Sequence, residues 1–164
     1  MKNLTRFLLF VSLILFYGCP QQHDFDPPVS NYEPVVVQRS DFENSTELLP
    51  PRTIAASGKI YLKDDYLFIN EPNEGFHVFN NEDLSNPEKI AFLKALGSKD
   101  LAIKNGTIYI NNATDLIAVR PNYNDLSLQV SKRIINTFPQ QISPDGFYFD
   151  VGENEIIVNW NLID

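Results

Sequence analysis

From Gly58 onward the chain alternates short apolar runs with clusters of Gly, Asn, Asp and Pro. The runs are Ile60-Tyr61-Leu62, Tyr66-Leu67-Phe68-Ile69, Phe76-His77-Val78-Phe79, Ile90-Ala91-Phe92-Leu93, Leu101-Ala102-Ile103, Thr107-Ile108-Tyr109-Ile110, Leu116-Ile117-Ala118-Val119 and Leu126 to Val130. Each has the length of a strand and is bounded by residues that turn the chain. Lys63-Asp64-Asp65 and Lys104-Asn105-Gly106 read as tight hairpin turns, and Asn-Gly is favoured there because both central positions need positive φ. The pattern predicts an all-β domain over 58–164 rather than alternating strands and helices.

The runs repeat. Lys63-Asp64-Asp65-Tyr66-Leu67-Phe68-Ile69-Asn70 aligns with Lys104-Asn105-Gly106-Thr107-Ile108-Tyr109-Ile110-Asn111, an offset of 41 residues. Gly75-Phe76-His77-Val78-Phe79 aligns with Asp115-Leu116-Ile117-Ala118-Val119, an offset of 40. A period near 40 with four strands per unit predicts propeller-type blades, here at about 58–98 and 99–138. In residues 143–160, Ser143-Pro144-Asp145-Gly146 reads as a turn. Phe147-Tyr148-Phe149 and Ile156-Ile157-Val158 after it read as the strands of a C-terminal hairpin. The expected architecture is an incomplete β-propeller-like array of two four-stranded repeats plus that hairpin. Two blades do not close a ring, and open sheet edges invite pairing with other chains. A tail over one edge, a partner over the other, or descent from a longer protein all remain open.

The order of turn, strand, strand ending in Asn, Gly-led strand and then Ser85-Asn86-Pro87 resembles the LVIVD repeat of bacterial cell-surface proteins. The namesake strand corresponds to Gly75–Asn80 and, more loosely, to Asp115–Arg120, with Asn80 and Arg120 where that repeat usually ends in Asp. Asn31-Tyr32-Glu33-Pro34-Val35 and Glu153 to Trp160 are similar to segments flanking the repeats in LVIVD-containing lipoproteins of Bacteroidota. The resemblance implies a β-propeller fold and an envelope location. It implies no activity.

The front of the chain has a different pattern. Lys2 and Arg6 precede the apolar run Phe7–Tyr17, which is shorter than the roughly 20 residues of a membrane-spanning helix and suits the core of a cleavable signal, residues 1–18. Gly18 then precedes Cys19, the only cysteine. The layout resembles the lipobox of bacterial lipoproteins, with Phe16 and Tyr17 departing from its usual residues. Cys19 is therefore the expected lipid-attachment site, and the outer membrane the expected location. A lone thiol has no disulfide partner within the chain.

Residues 19–57 hold Pro20, Pro27, Pro28, Pro34, Pro50 and Pro51 and read as an extended, solvated tether. Within it Val35-Val36-Val37 predicts a short strand, and Ser40–Leu49 a helical turn capped by Ser40 or Asp41.

Charge narrows the partners. Loss of Lys2 and Arg6 takes the 13 basic residues to 11 against 21 acidic ones, and the formal charge from −8 to −10. Such a chain lacks the clustered cations that hold nucleic acid or an anionic membrane surface. The membrane contact expected is the lipid itself. A protein partner or a homo-oligomer is expected besides.

No catalytic set stands out, and no enzyme activity is expected. The two histidines read as a packed or half-exposed His77 and a solvated His23. Neither supports a zinc site, and no cofactor is expected. Asp64-Asp65, Glu82-Asp83 and Asp24-x-Asp26 lack calcium-loop spacing and read as turn residues. The rival reading is an envelope hydrolase built on carboxylates such as Asp65, Asp83 and Asp115, which needs two of them in one cleft. Among the aromatics, Trp160, Tyr148 and Tyr123 are the candidates for contact with a partner.

Overall fold

Two-residue turns set the frame of the fold. In the computed structural model, which describes residues 29–163, Lys63 pairs with Tyr66 and Lys104 with Thr107, leaving Asp64-Asp65 and Asn105-Gly106 as the turns. Asn105 and Gly106 have φ of 51° and 72°, the positive pair the Asn-Gly reading requires.

The eight apolar runs form eight consecutive strands. These are β3 (Ile60–Lys63), β4 (Tyr66–Glu71), β5 (Gly75–Asn80) and β6 (Glu88–Lys94), then β7 (Leu101–Lys104), β8 (Thr107–Asn112), β9 (Asp115–Asn122) and β10 (Ser127–Ile134). Each set of four is an antiparallel meander. Before them come β1 (Tyr32–Gln38), α1 (Arg39–Asn44) and β2 (Glu47–Leu49), and after them β11 (Glu155–Leu162). The fold is mostly β, in three antiparallel sheets: β2-β6-β5-β4-β3, β10-β9-β8-β7, and the pair β1-β11.

Alternation decides which side of each meander is buried. In the first sheet Tyr61, Phe68, Phe76, Val78 and Leu93 share one face; in the second, Leu101, Ile103, Ile108, Ile110, Ile117 and Val119 do. These two faces pack together as the main core. Burial of each Phe there contributes about 1.5–3 kcal/mol. The crossover between the sheets is Gly97. Its N–H donates to Asn73 O at 2.7 Å and its carbonyl accepts from Ala113 N–H at 3.3 Å, which ties the β4–β5 turn to the β8–β9 turn. Gly97 has φ of 71°, and a Cβ there would lie 2.6 Å from that of Ala113, so the junction has room only for glycine.

Three expectations need correction. The segment 19–57 was expected to be a solvated tether, but from Tyr32 to Leu49 it is part of the fold. Val35 and Val37 lie within β1 as expected, β2 adds a fifth strand to the first sheet, and Phe42 of α1 is fully buried against Ala113, Ile156 and Val158. The helix begins at Arg39, one residue ahead of the expected caps, and the Gln38 side chain at its N-cap donates to Glu155 Oε1 at 3.1 Å rather than capping the helix. Packing of Phe42, rather than capping, holds this single turn.

The C-terminal hairpin does not form. The predicted Ser143–Gly146 turn is present, with Gly146 N–H donating to Ser143 O at 2.9 Å, but residues 147–149 form no strand, and Phe147 bonds only back to Ser143. The strand over Ile156–Val158 pairs instead with β1, placing Val36 opposite Ile157 and Val37 opposite Ile156. The apolar strip of β1 gives β11 a better partner than the Tyr148 segment. The array is therefore two meanders plus a clasp of the first and last strands.

Candidate functional site

The turns that close the meanders meet at one end of the seam between the two sheets. Lys63 and Asp64 of the β3–β4 turn, Gly106 of the β7–β8 turn, and Asn122, Tyr123 and Asn124 after the core of β9 surround a groove of about 370 Å³. Its apolar floor is Phe68, Ile103 and Ile108, and Pro121 and Tyr66 form its walls. Tyr66 and Tyr123 lie with ring centroids 5.0 Å apart, and Lys63 Nζ bonds Asp64 Oδ1 at 2.5 Å on the rim. Burial pushes the Tyr123 phenol above its ordinary range, reinforced by Tyr66, so at neutral pH it is an uncharged donor. An aromatic wall with a polar rim suits a small amphipathic ligand or an inserted side chain.

A second surface lies on the outside of the second sheet. Tyr109, Leu116, Ala118 and Ile134 line a shallow hollow of about 300 Å³ there with Thr107, Ser131, Arg120 and Lys132. Among the described residues no other element covers it: Tyr109 is 39% and Ile134 49% exposed.

Two buried polar clusters hold the frame around these surfaces. Asp115 is fully buried; its Oδ2 accepts from Arg39 Nη1 at 2.6 Å and Arg133 Nη1 at 2.9 Å, and its Oδ1 from Asn136 N–H at 3.2 Å. Burial works to raise its pKa, but the bonds from Arg39, Arg133 and Asn136 outweigh it and hold the carboxyl below its ordinary value. Both guanidinium groups also lie over the Phe42 ring, at 5.6 and 5.2 Å. The cluster thus joins α1 to β9 and β10.

In the other cluster His77 Nε2 meets Glu71 Oε2 at 2.5 Å, and Arg52 Nη2 meets the same oxygen at 3.1 Å. Arg52 stacks on Phe92 at 3.8 Å. Burial again opposes ionisation of Glu71, yet His77 and Arg52 bring its pKa below the ordinary value. His77 is buried, consistent with a packed histidine rather than an accessible base.

The residues expected to contact partners are not brought together. Tyr123 lines the groove. Tyr148 is 69% exposed in the loop before β11. Trp160 is half-buried on β11 and packs edge-on against Phe149 at 5.3 Å. Cys19 and His23 lie outside the described residues. The carboxylates of the hydrolase reading are also apart in role. Asp115 is neutralised by two arginines, and Asp83 accepts from Ser85 N–H at 2.9 Å within its own turn. Asp65 is exposed in the β3–β4 turn. Among the described residues no three His, Cys, Asp or Glu side chains are grouped as a metal site requires.

Sequence reasoning missed Tyr66, Arg39 and Arg133. The alignment of the repeats carried one cue: Asp115 stands where the first repeat has Gly75, so a charge enters the second repeat at a buried turn. Comparison of the chain with family models, with curated proteins and with solved structures found no match.

Proposed function

We propose that the chain is a lipid-anchored envelope protein whose two meanders are propeller-type blades and whose role is binding and assembly. The observation that carries this reading is the outer face of the second sheet, where Tyr109 and Ile134 stay exposed and Leu116 is half-buried around the small Ala118. In an array of like blades this is the side on which the next blade packs. The basic and apolar start of the chain before Cys19 supports attachment to the outer membrane through lipid on that sulfur.

Two experiments test the reading. Replacing Cys19 with Ala and labelling cells with a palmitate analogue should abolish labelling; a labelled variant would end the anchor proposal. Cross-linking of the full chain in intact cells should yield specific products through residues 58–160. Their absence would end the assembly proposal.

The groove favours a second reading, capture of a small amphipathic ligand on Tyr66 and Tyr123. Its support is the aromatic pair next to a polar rim. A thermal shift with neutral saccharides that is lost in Tyr123→Ala would establish it, and no shift across such a panel would remove it.

A further inference from the structure

We infer that the partner for the open face of the second sheet is the first sheet of another copy of this chain, docked head to tail. The inference rests on the assembly reading above and names its partner.

The interface between the two sheets has two unlike sides. One side is the Tyr61, Phe68, Phe76 and Val78 face of the first sheet. The other is the Leu101, Ile103, Ile108, Ile110 and Ile117 face of the second. The repeat carries each side onto the sheet where it is not used. Offsets of 41 and 40 carry Tyr61, Phe68, Phe76 and Val78 onto Ala102, Tyr109, Leu116 and Ala118, which lie on the open face of the second sheet. The reverse offsets carry Leu101, Ile103, Ile108 and Ile110 onto Ile60, Leu62, Leu67 and Ile69.

Those four residues pair as Ile60 with Ile69 and Leu62 with Leu67, so they share the outer face of the first sheet. Ile60 and Leu62 are 63% and 69% exposed. Farther along that face Arg52 lies over Phe92 and bonds Glu71, so the apolar surface still open is the β3–β4 side. Thus each molecule keeps one copy of each side of a contact it already makes. Applying the internal contact once more between molecules covers both exposed patches.

Charge agrees with this pairing. The open face of the second sheet carries Arg120 and Lys132, and the β3–β4 turn presents the exposed Asp65 beside the Lys63–Asp64 ion pair. A symmetric contact between two open faces of the second sheet would instead oppose like charges. A head-to-tail contact closes into a ring if its rotation permits and otherwise grows into a filament.

The test uses the full chain in intact cells, with a photoreactive phenylalanine analogue in place of Tyr109. The expected product has twice the monomer mass, with position 109 joined to a peptide containing residues 60–69. Leu62→Glu keeps an exposed side chain exposed in the monomer and so should leave folding intact. A probe-bearing Leu62→Glu chain should still cross-link to a co-expressed tagged wild-type chain and lose the product with a tagged Leu62→Glu chain. Joining of position 109 to the 109 region of another copy, or a product that survives when both chains carry Leu62→Glu, would overturn the inference. Joining to a different protein would overturn it while leaving the assembly reading standing. No product at all would overturn both.

Discussion

Asp115 and Arg39 meet at 2.6 Å across 76 residues of sequence, and this contact fastens the front of the fold to the second meander. Arg39 leads the single helical turn, and Asp115 opens β9. Arg133 completes the cluster from β10 at 2.9 Å. Asp115→Asn preserves shape but leaves Arg133 without its counter-charge and Arg39 with only Glu43 at 3.6 Å. The expected loss is about 3 kcal/mol at neutral pH, read by urea denaturation.

The same carboxyl predicts a pH dependence. Its pKa is lower in the folded chain than in the unfolded chain, so its stabilisation is present above the unfolded value of about 3.9 and lost as pH falls through the folded one. The stability gap between wild type and Asp115→Asn should therefore be full at pH 7 and shrink on acidification below about pH 4. A gap of constant size down to pH 2 would show that the charge does not supply it.

Phe42→Ala removes the one fully buried aromatic that the described residues give to the second, smaller core. The expected cost is about 3–5 kcal/mol. Hydrogen exchange should rise chiefly in β1 and β11, with β8 and β9 less affected, because Phe42 packs on the clasp. Uniform acceleration across all strands would mean that the clasp and the meanders unfold as one unit.

Gly97→Ala places a methyl group 2.6 Å from Ala113 Cβ at a φ of 71°. Left-handed strain and overpacking together should cost about 3 kcal/mol. Gly106→Ala meets nothing within 4 Å and should cost about 1 kcal/mol from the φ of 72° alone. Equal thermal shifts for the two variants would count against a packed junction at Gly97.

Tyr61 donates to Asp100 Oδ1 at 2.6 Å. Burial, then the bond to and charge of Asp100, push its phenol up to about 12. Absorbance titration should show a late step that Tyr61→Phe removes. Asp100→Asn should move that step down, though not all the way to the free value of about 10, because burial is the larger cause. An unmoved step would assign it to another tyrosine.

The eight strands of the meanders were legible because their signals are local. Asn105-Gly106 fixes its own hairpin, and Ile108-x-Ile110 declares its buried face by alternation. The clasp was not legible in this way. Val36 finds Ile157 across more than a hundred residues, and nothing near either residue names the other. Phe147-Tyr148-Phe149 had equal claim to be a strand by composition, and only the presence of β1 decides against it. The polar clusters were hidden for the same reason. Arg39 and Arg133 look like ordinary surface cations until the fold places both on Asp115. Tyr123 was picked out as an aromatic, but its neighbour Tyr66 comes from the other sheet.

The pairing of β1 with β11 also imposes an order on folding. Residues 155–162 are made after everything they close over, so β1 has no partner during most of synthesis. Until they arrive, Phe42 lacks the Ile156 and Val158 side of its pocket. The two meanders, built from neighbouring hairpins, need no such wait. Removing the last eight strand residues should therefore leave nascent meanders that form while the front of the chain stays undocked, a state that a chaperone or a protease would meet first.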